Sequence, residues 1–235
     1  METGEILLSV VIPVFNEELT IGNVLKRLTV VMNKLGFGYE LIVVDDCSGD
    51  NSLEFSRAPG VRVFSLKMHM GKGYALRAGF AKAKGEIITT IDSDGSHRPE
   101  ELPRLLKPIL QKKSDLVIGS RYLGQNPLAA KKLNAAGVRL FNFLVKILTG
   151  ANVSDSQSGY RVMTSAVLRS MRLRSGGYEI ESEMLVKTAR HGFKVIEVPI
   201  SFEQRTYGTS RLDPVVDGLK ILLSIVIAYI RGDRE

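Results

Sequence analysis

The sequence predicts an α/β protein with a mostly parallel, doubly wound sheet flanked by helices and completed by C-terminal amphipathic surface helices. Three observations predict it. Short apolar runs rich in Val, Ile and Leu, of the kind parallel strands need when both faces are covered, recur along the first half of the chain. Between them stand segments with apolar residues at helical spacing, and strand and helix alternate in this way five times by Arg121. Each run also empties into a polar or charged turn, which gathers those turns at the carboxyl edge of one sheet.

Ile6 to Ile12 is the first run, ended by Pro13 and followed by Asn16, Glu17 and Glu18. Ile21, Val24, Leu25, Leu28, Val31, Met32 and Leu35 share one helical face, and Gly36 supplies the stop, so a helix is expected over Thr20 to Leu35. Leu41 to Val44 is the second strand. It leads to Asp45, Asp46, Cys47 and Ser48, and Asp50 or Asn51 can cap the short helix beyond. Val61 to Leu66 leads through His69 to Gly71, Lys72 and Gly73, and into a helix from about Tyr74 to Lys84. Glu86 to Ile91 ends in the turn Asp92-Ser93-Asp94-Gly95-Ser96. Pro99 opens the next helix at a position where proline is tolerated, and Asp115 to Ile118 is the fifth strand, ending at Arg121.

From Arg121 to Gly150 the chain carries five basic residues, Arg121, Lys131, Lys132, Arg139 and Lys146, and no acidic one. Lys132, Arg139, Asn142 and Lys146 fall on one stripe, and Leu133, Leu140, Phe141, Leu144 and Leu148 on another, the pattern of a basic amphipathic helix. A polar turn, Asp155 to Gly159, precedes a strand at Tyr160 to Met163 and a helix around Ser165 to Met171. Glu179, Glu181 and Glu183 open a helix running through Arg190, where acidic residues complement the macrodipole or meet a sugar. Val195 to Ile200 is the last strand, and a polar loop from Glu203 to Arg211 leads into a final helix from about Pro214 to Ile230. The chain therefore divides into a main domain at 1–212 and a C-terminal helix at 213–235.

At 44% hydrophobic and 24% charged, the composition excludes a disordered chain. A single cysteine, Cys47, excludes an internal disulfide framework and points to a reducing compartment. The opening stretch has no basic n-region and breaks at Pro13, so it reads as a strand and not a signal peptide, and the expected location is the cytoplasm. Ile221 to Ile230, ten positions, falls short of the ~20 needed to cross a bilayer. The net charge of +7 points to an anionic partner.

Several motifs can be set aside. Gly71-Lys72-Gly73 lacks the upstream glycine and the following Ser or Thr of a phosphate-binding P-loop, and Leu76 stands where a dinucleotide fingerprint needs its third glycine. His69, His97 and His191 have no partners at zinc-ligand spacing. No zinc spacing, stacking aromatics or basic recognition helix supports nucleic-acid binding, so no nucleic acid is expected. There remain Glu17, Asp45, Asp46, Lys72, Asp92, Asp94 and Arg121, all at the ends of successive strands. Paired carboxylates suit a hard divalent cation, and the cationic side chains suit phosphate. Alone, Asp92-Ser93-Asp94 reads equally as a solvated turn; in this company it reads as a site for a metal-bound diphosphate.

In order, the runs VVIPVFNEE, VVDDCSGDNS, HMGKGYALRAGF, ITTIDSDGSHRPEEL, VIGSRY, DSQSGYRV and RTYGTSR resemble the family 2 glycosyltransferases of the GT-A fold, and among them the dolichol-phosphate (polyprenol-phosphate) mannosyltransferases. The resemblance covers about Leu8 to Arg211. It implies that Pro13, Phe15 and Glu17 line a nucleotide, that Val44 and Asp46 hold base and ribose, and that Asp92, Ser93 and Asp94 are a DxD motif binding Mg²⁺ or Mn²⁺ with the diphosphate. Arg121, Arg205 and Arg211 match residues contacting donor or acceptor phosphates, and with Asp94 they form the expected catalytic set. Lys72 either neutralises donor phosphate or is solvated. Ser96 stands where the family often has a glutamine metal ligand, and is a weaker ligand. Asp155, Gln157 and Ser158 either orient the acceptor or cap the next element.

The activity the resemblance implies is inverting, metal-dependent transfer of a hexose, mannose from GDP-mannose first, to a polyprenyl or dolichyl phosphate at the cytoplasmic face of a membrane. A soluble family member acting on a saccharide hydroxyl, a UDP-glucose-dependent polyprenyl-phosphate glucosyltransferase and a catalytically silent nucleotide-sugar binder stand as alternatives. The resemblance also implies that the two amphipathic helices lie on an anionic membrane surface. Related chains often continue into transmembrane helices, so anchoring falls to the surface, to a membrane-embedded partner subunit or to a segment beyond this sequence.

Overall fold

The computed structural model describes residues 7–124, 135–203 and 213–231. Its strands are β1 (Leu8–Val14), β2 (Tyr39–Asp45), β3 (Val61–Ser65), β4 (Ile87–Thr90), β5 (Leu116–Ser120), β6 (Arg161–Thr164) and β7 (Val195–Pro199). They form one sheet in the order β3-β2-β1-β4-β6-β5-β7. The helices are α1 (Ile21–Leu35), α2 (Ser52–Phe55), α3 (Lys72–Phe80), α4 (Leu102–Leu110), α5 (Ala135–Thr149), α6 (Ser165–Arg169), α7 (Ile180–Arg190) and α8 (Val216–Arg231), with a 3₁₀ turn at Pro99–Glu101.

Strand periodicity of two sorts the apolar side chains into two layers. Val10 and Ile12 of β1 join Leu41 and Val43 of β2 in a core closed by α1 and α4, whereas Val11 faces the opposite layer with Leu76, Ile88, Leu116 and Ile118. That second layer is closed by α5, α7 and α8, through Phe141, Val145, Met184, Leu185, Ile221 and Ile225. On α1 six apolar side chains are buried, as the sequence spacing predicts, and Gly36 ends the helix in the left-handed conformation at φ 73°. Their burial contributes roughly 10–15 kcal/mol before the entropy of ordering is subtracted.

All strand pairs are parallel except those made by β6, which runs antiparallel between β4 and β5. Its register pairs Arg161 with Thr90 and with Ile118, so β6 begins at the carboxyl edge of its neighbours. The Asp155–Gly159 turn is thereby delivered to the edge that already holds the ends of β1, β2 and β4. The order β2-β1-β4 also places the topological switch point between β1 and β4, where open α/β sheets form their crevice.

Two expectations need correction. The helix expected from about Tyr74 to Lys84 begins at Lys72 and ends at Phe80, because Gly71 turns the chain with φ 105°. On α5, Leu140 is exposed, and Asn142 is turned inward, donating to Ser154 O and accepting from Ser156 N. The buried stripe is Val138, Phe141 and Val145, a shift of the helix face set by packing against α8 and not by its basic residues. Lys131, Lys132 and Leu133 lie outside the described residues.

Candidate active site

A cleft of about 510 Å³ opens at the carboxyl ends of β1, β2 and β4. Its floor is the turn after β4. Ser93 Oγ donates to Pro13 O at 2.8 Å, tying that turn to the end of β1 across the switch point. Asp94 is 8% exposed, and its Oδ1 accepts from the backbone N–H of Ser96 at 2.9 Å and from Ser96 Oγ at 2.6 Å. Ser96 therefore orients Asp94 while its own oxygen stays beside the carboxylate. Among the described residues no group of three or more His, Cys, Asp or Glu side chains is placed to hold a metal ion by itself. Asp94 presents its carboxylate to the cleft, whereas Ser96 is 2% exposed and turns its hydroxyl to Asp94, an incomplete set that suits a cation completing its shell with phosphate and water.

Asp92 also lines the cleft but is paired within the protein. Lys72 Nζ lies 2.6 Å from Asp92 Oδ1 and 2.7 Å from Glu181 Oε1, bridging the first turn of α3 to the first turn of α7. Burial pulls the lysine toward its neutral form, but the Asp92 and Glu181 carboxylates outweigh that and hold its pKa above the ordinary lysine value. Burial likewise disfavours the Asp92 carboxylate, and Lys72, then His97, overcome it, so Asp92 is ionised well below the usual range. His97, 1% exposed, has Nδ1 3.6 Å from Asp92 Oδ2, and burial lowers its pKa. Lys72 is thus the partly buried counterion of Asp92 and Glu181, and of its two expected roles, neutralising donor phosphate or standing solvated, the second gives way to this pairing. A Cβ built at Gly159 would sit 2.6 Å from Asp92 Oδ2 and 2.8 Å from Lys72 Nζ, so any side chain there would displace this ion pair.

At the opposite end of the cleft Asp46 is 2% exposed and accepts from the backbone N–H of Met70 at 2.8 Å and of Gly71 at 2.7 Å. Its Oδ2 also lies 2.8 Å from His69 Nδ1, and the His69 ring stacks on Phe15 with centroids 3.8 Å apart. Pro13, Phe15, Glu17, Asp46, Lys72, Asp92, Ser93 and Asp94 all line the cleft. Val44 does not: it is fully buried with Ile42 and Ala75, because alternation along β2 turns its side chain into the core beneath α3.

Arg121 and Asp155 are brought together, but as partners of each other. Arg121 Nε and Nη2 donate to the two Asp155 oxygens at 2.7 Å each, and the Arg121 backbone N–H adds a third bond at 3.0 Å. Burial raises the aspartate's pKa and Arg121 more than reverses it, leaving Asp155 below its ordinary value. Gln157 Nε2 donates to Ser182 Oγ, and Ser158, fully buried, offers its carbonyl to Arg161 Nε. Asp155, Gln157 and Ser158 therefore act locally as the frame of the turn. Arg205 and Arg211 lie outside the described residues.

Sequence reasoning misses four contributors, Glu181, His69, Asp217 and Lys220. Glu181 was one of three alternating acids and carried no signal to single it out; it pairs with Lys72, whereas Glu179 accepts from Gly176 and Gly177 N–H and Glu183 from Arg174 and Ser175 N–H. His69, which the sequence offers only as a metal ligand lacking partners, stacks on Phe15 and meets Asp46. Asp217 and Lys220, on the first turns of α8, line the same cleft, although the sequence sets them in a separate segment.

The sequence profile described as Glycosyl transferase family 2 matches residues 9–172. An uncharacterized protein of Methanocaldococcus jannaschii is 36% identical over 230 residues, which cover 94% of this chain and 91% of that one. An undecaprenyl-phosphate mannosyltransferase of Micrococcus luteus is 34% identical over 224 residues, 88% of either chain. Among solved structures, glucosyl-3-phosphoglycerate synthase of Mycobacterium tuberculosis in complex with Mn²⁺, UDP and glucosyl-3-phosphoglycerate superposes with a TM-score of 0.76 at 26% identity, covering 95% of this chain and 80% of the other. The seven-stranded, mostly parallel sheet with its cleft at the β1/β4 switch point is accordingly a GT-A fold, and the chain belongs to glycosyltransferase family 2, close to the polyprenol-phosphate sugar transferases.

Proposed function

We propose that this glycosyltransferase moves a hexose from a nucleotide-sugar to the phosphate of a polyprenyl phosphate, with inversion, at the cytoplasmic face of a membrane. The observation that carries this reading is the make-up of one cleft: Phe15 and Asp46 at its nucleotide end, Asp94 at its centre, and Lys220 of a helix with an exposed apolar face at its rim. Mannose from GDP-mannose is the donor favoured by the 34% identical mannosyltransferase. A UDP-glucose donor is the second reading, supported by the UDP-bound synthase of the same fold.

Asp94, oriented by Ser96, would hold Mg²⁺ or Mn²⁺, consistent with the Mn²⁺ and Mg²⁺ complexes of that synthase. When bound, the cation neutralises charge on the departing diphosphate as a Lewis acid. Asp92, held by Lys72, keeps a fixed carboxylate beside the sugar end of the cleft. A phosphomonoester with a second pKa near ~6 is largely dianionic at neutral pH, so the acceptor attacks without a protein base. Positioning is then the protein's main task. Arg121, paired with Asp155, would hold the Asp155–Gly159 turn at the sheet edge, and Arg205 and Arg211 would screen the two anions as permanently charged forks.

The test is a crossed assay of GDP-mannose and UDP-glucose against polyprenyl phosphate and a saccharide acceptor, with and without chelator. Chelator-sensitive transfer to polyprenyl phosphate is expected, and Asp94→Ala should reduce it about 100–1,000-fold. Full activity of Asp94→Ala, or transfer to the saccharide alone, would reject the reading.

A further inference from the structure

The two carboxylates of the Asp92-Ser93-Asp94 turn meet different surroundings. Asp94 lines the cleft and is oriented by Ser96. Asp92 is answered by a cation of the protein's own: Lys72 Nζ lies 2.6 Å from Oδ1, while His97 Nδ1 is 3.6 Å from Oδ2. The same ammonium lies 2.7 Å from Glu181, a carboxylate 2% exposed. Apart from these ion pairs, neither Glu181 oxygen and neither His97 nitrogen has a hydrogen-bond partner among the described residues. Lys72 is therefore the charge on which both carboxylates depend. The backbone at Gly159 closes one side of the group, since even a Cβ there would lie 2.8 Å from both Lys72 Nζ and Asp92 Oδ1. Two carboxylates around one ammonium, walled on one side, make a cation position that is already filled.

We infer that Lys72 keeps Asp92 from acting as a metal ligand, so that the protein takes up its divalent cation together with the nucleoside diphosphate and not before it. The inference rests on the proposed reading of Asp94 as the protein's carboxylate for that cation, and adds how the cation arrives. A divalent cation binds more tightly as the number of charged oxygen ligands rises. With Asp92 held by Lys72, the turn offers such a cation the Asp94 carboxylate, and an ammonium stands beside the position a second ligand would fill. Like charges at that separation repel, so recruiting Asp92 requires Lys72 to leave it. Phosphate oxygens of the nucleotide supply the missing charge without disturbing the pair.

The probe is Mn²⁺ alone, its free concentration read from its electron paramagnetic resonance signal, so that no turnover is needed. Without nucleotide the unaltered protein should bind Mn²⁺ with a Kd of roughly 1 mM or weaker, as an incomplete oxygen site does. Mn²⁺ should tighten binding of GDP or UDP, measured by calorimetry, by about tenfold or more, a coupling that holds in both directions. Lys72→Met frees Asp92 and should strengthen nucleotide-free Mn²⁺ binding by about tenfold or more, the usual scale for a residue that governs a ligand from behind. Lys72→Met with Glu181→Gln removes one cation and one anion together. It leaves the net charge unaltered and spares a second unpaired carboxylate, so it serves where the single variant does not fold. The same gain in this double variant, lost again when Asp92→Asn is added, upholds the inference. Nucleotide-free Mn²⁺ binding by the unaltered protein that is as tight as in the double variant, when the latter is folded, overturns it. No effect of Mn²⁺ on GDP or UDP binding rejects the cation reading itself, and the inference with it.

Discussion

Asp92 shows how much of a cleft carboxylate's behaviour is set by its neighbours. It ends β4 at the switch point, yet its charge is anchored by Lys72 and the pair is closed over by Gly159. Gly159→Ala would force a methyl to within 2.6 Å of Asp92 Oδ2, and either the carboxylate or the Lys72 ammonium must move. We predict little change in stability, because both atoms end side chains that can turn, and a fall of roughly 100-fold in transfer, since a misplacement of an ångström at a reacting centre has that effect. Urea unfolding and initial rates on the same preparation check it, and a fully active Gly159→Ala protein would refute it. The aspartates were legible in the sequence because strand and turn chemistry fix where they emerge. Their partners were not, because Lys72 and Glu181 meet through the docking of α3 on the start of α7, which no local pattern encodes. The Arg121–Asp155 pair, likewise invisible in sequence, gives a pH prediction. The folded pKa of Asp155 lies below the ordinary 3.8, so its stabilising contribution is complete above that pH and is lost as pH falls through the folded value. Asp155→Asn should lower stability by about 3 kcal/mol at pH 7, as for a broken buried pair, and the gap from the unaltered protein should narrow below pH ~4. A gap constant from pH 7 to pH 3, measured by denaturant midpoints, would count against the ion pair.

Helices and strands divide by what their periods could disclose. The strands β1, β2, β4 and β5 are near-continuous apolar runs, and α1 carries a full amphipathic stripe, so both kinds of element were readable. β6 was readable as a strand, but its antiparallel course was not, because four residues carry no direction. On α5 the basic residues suggested one face and packing selected another. α8 is the telling element: its sequence reads as a peripheral amphiphile, while Ile221, Ile225 and Ala228 are buried in the same layer as Met184 and Leu185 of α7. If that inner face holds α8 in the fold, Ile225→Ala should lower stability by about 2–4 kcal/mol and weaken nucleotide binding through displacement of Asp217 and Lys220. Thermal unfolding and nucleoside diphosphate titration test both halves; a change below ~0.5 kcal/mol would show α8 to be loosely attached.

The whole molecule carries a polarity that its elements do not show singly. Among the described residues no helix is long and apolar enough to cross a membrane. Even so, Leu140, Phe143 and Ile147 recur at three and four residues along the outer side of α5, and Leu219, Leu223, Val226 and Ile230 do the same on α8, each between 40% and 71% exposed. Contiguous apolar surface on this scale marks an interaction site, and a net charge of +7 directs it toward an anionic one. Both helices close the layer that borders the donor cleft, so a surface that receives them also brings the cleft to a lipid phosphate. We predict flotation with vesicles containing anionic lipid at low salt, and weaker association as ionic strength shortens the range of the electrostatic attraction. Phe143→Asp with Ile147→Asp should weaken association by more than about 100-fold, since withdrawing two large apolar side chains from the interface forfeits roughly 1.5–3 kcal/mol each. Because neither residue touches the cleft, transfer to a soluble prenyl phosphate should persist in the double variant while transfer to vesicle-borne acceptor falls. Equal loss on both acceptors would mean that the outer face of α5 supports the fold and not the membrane, and unaltered flotation would remove α5 from the contact altogether.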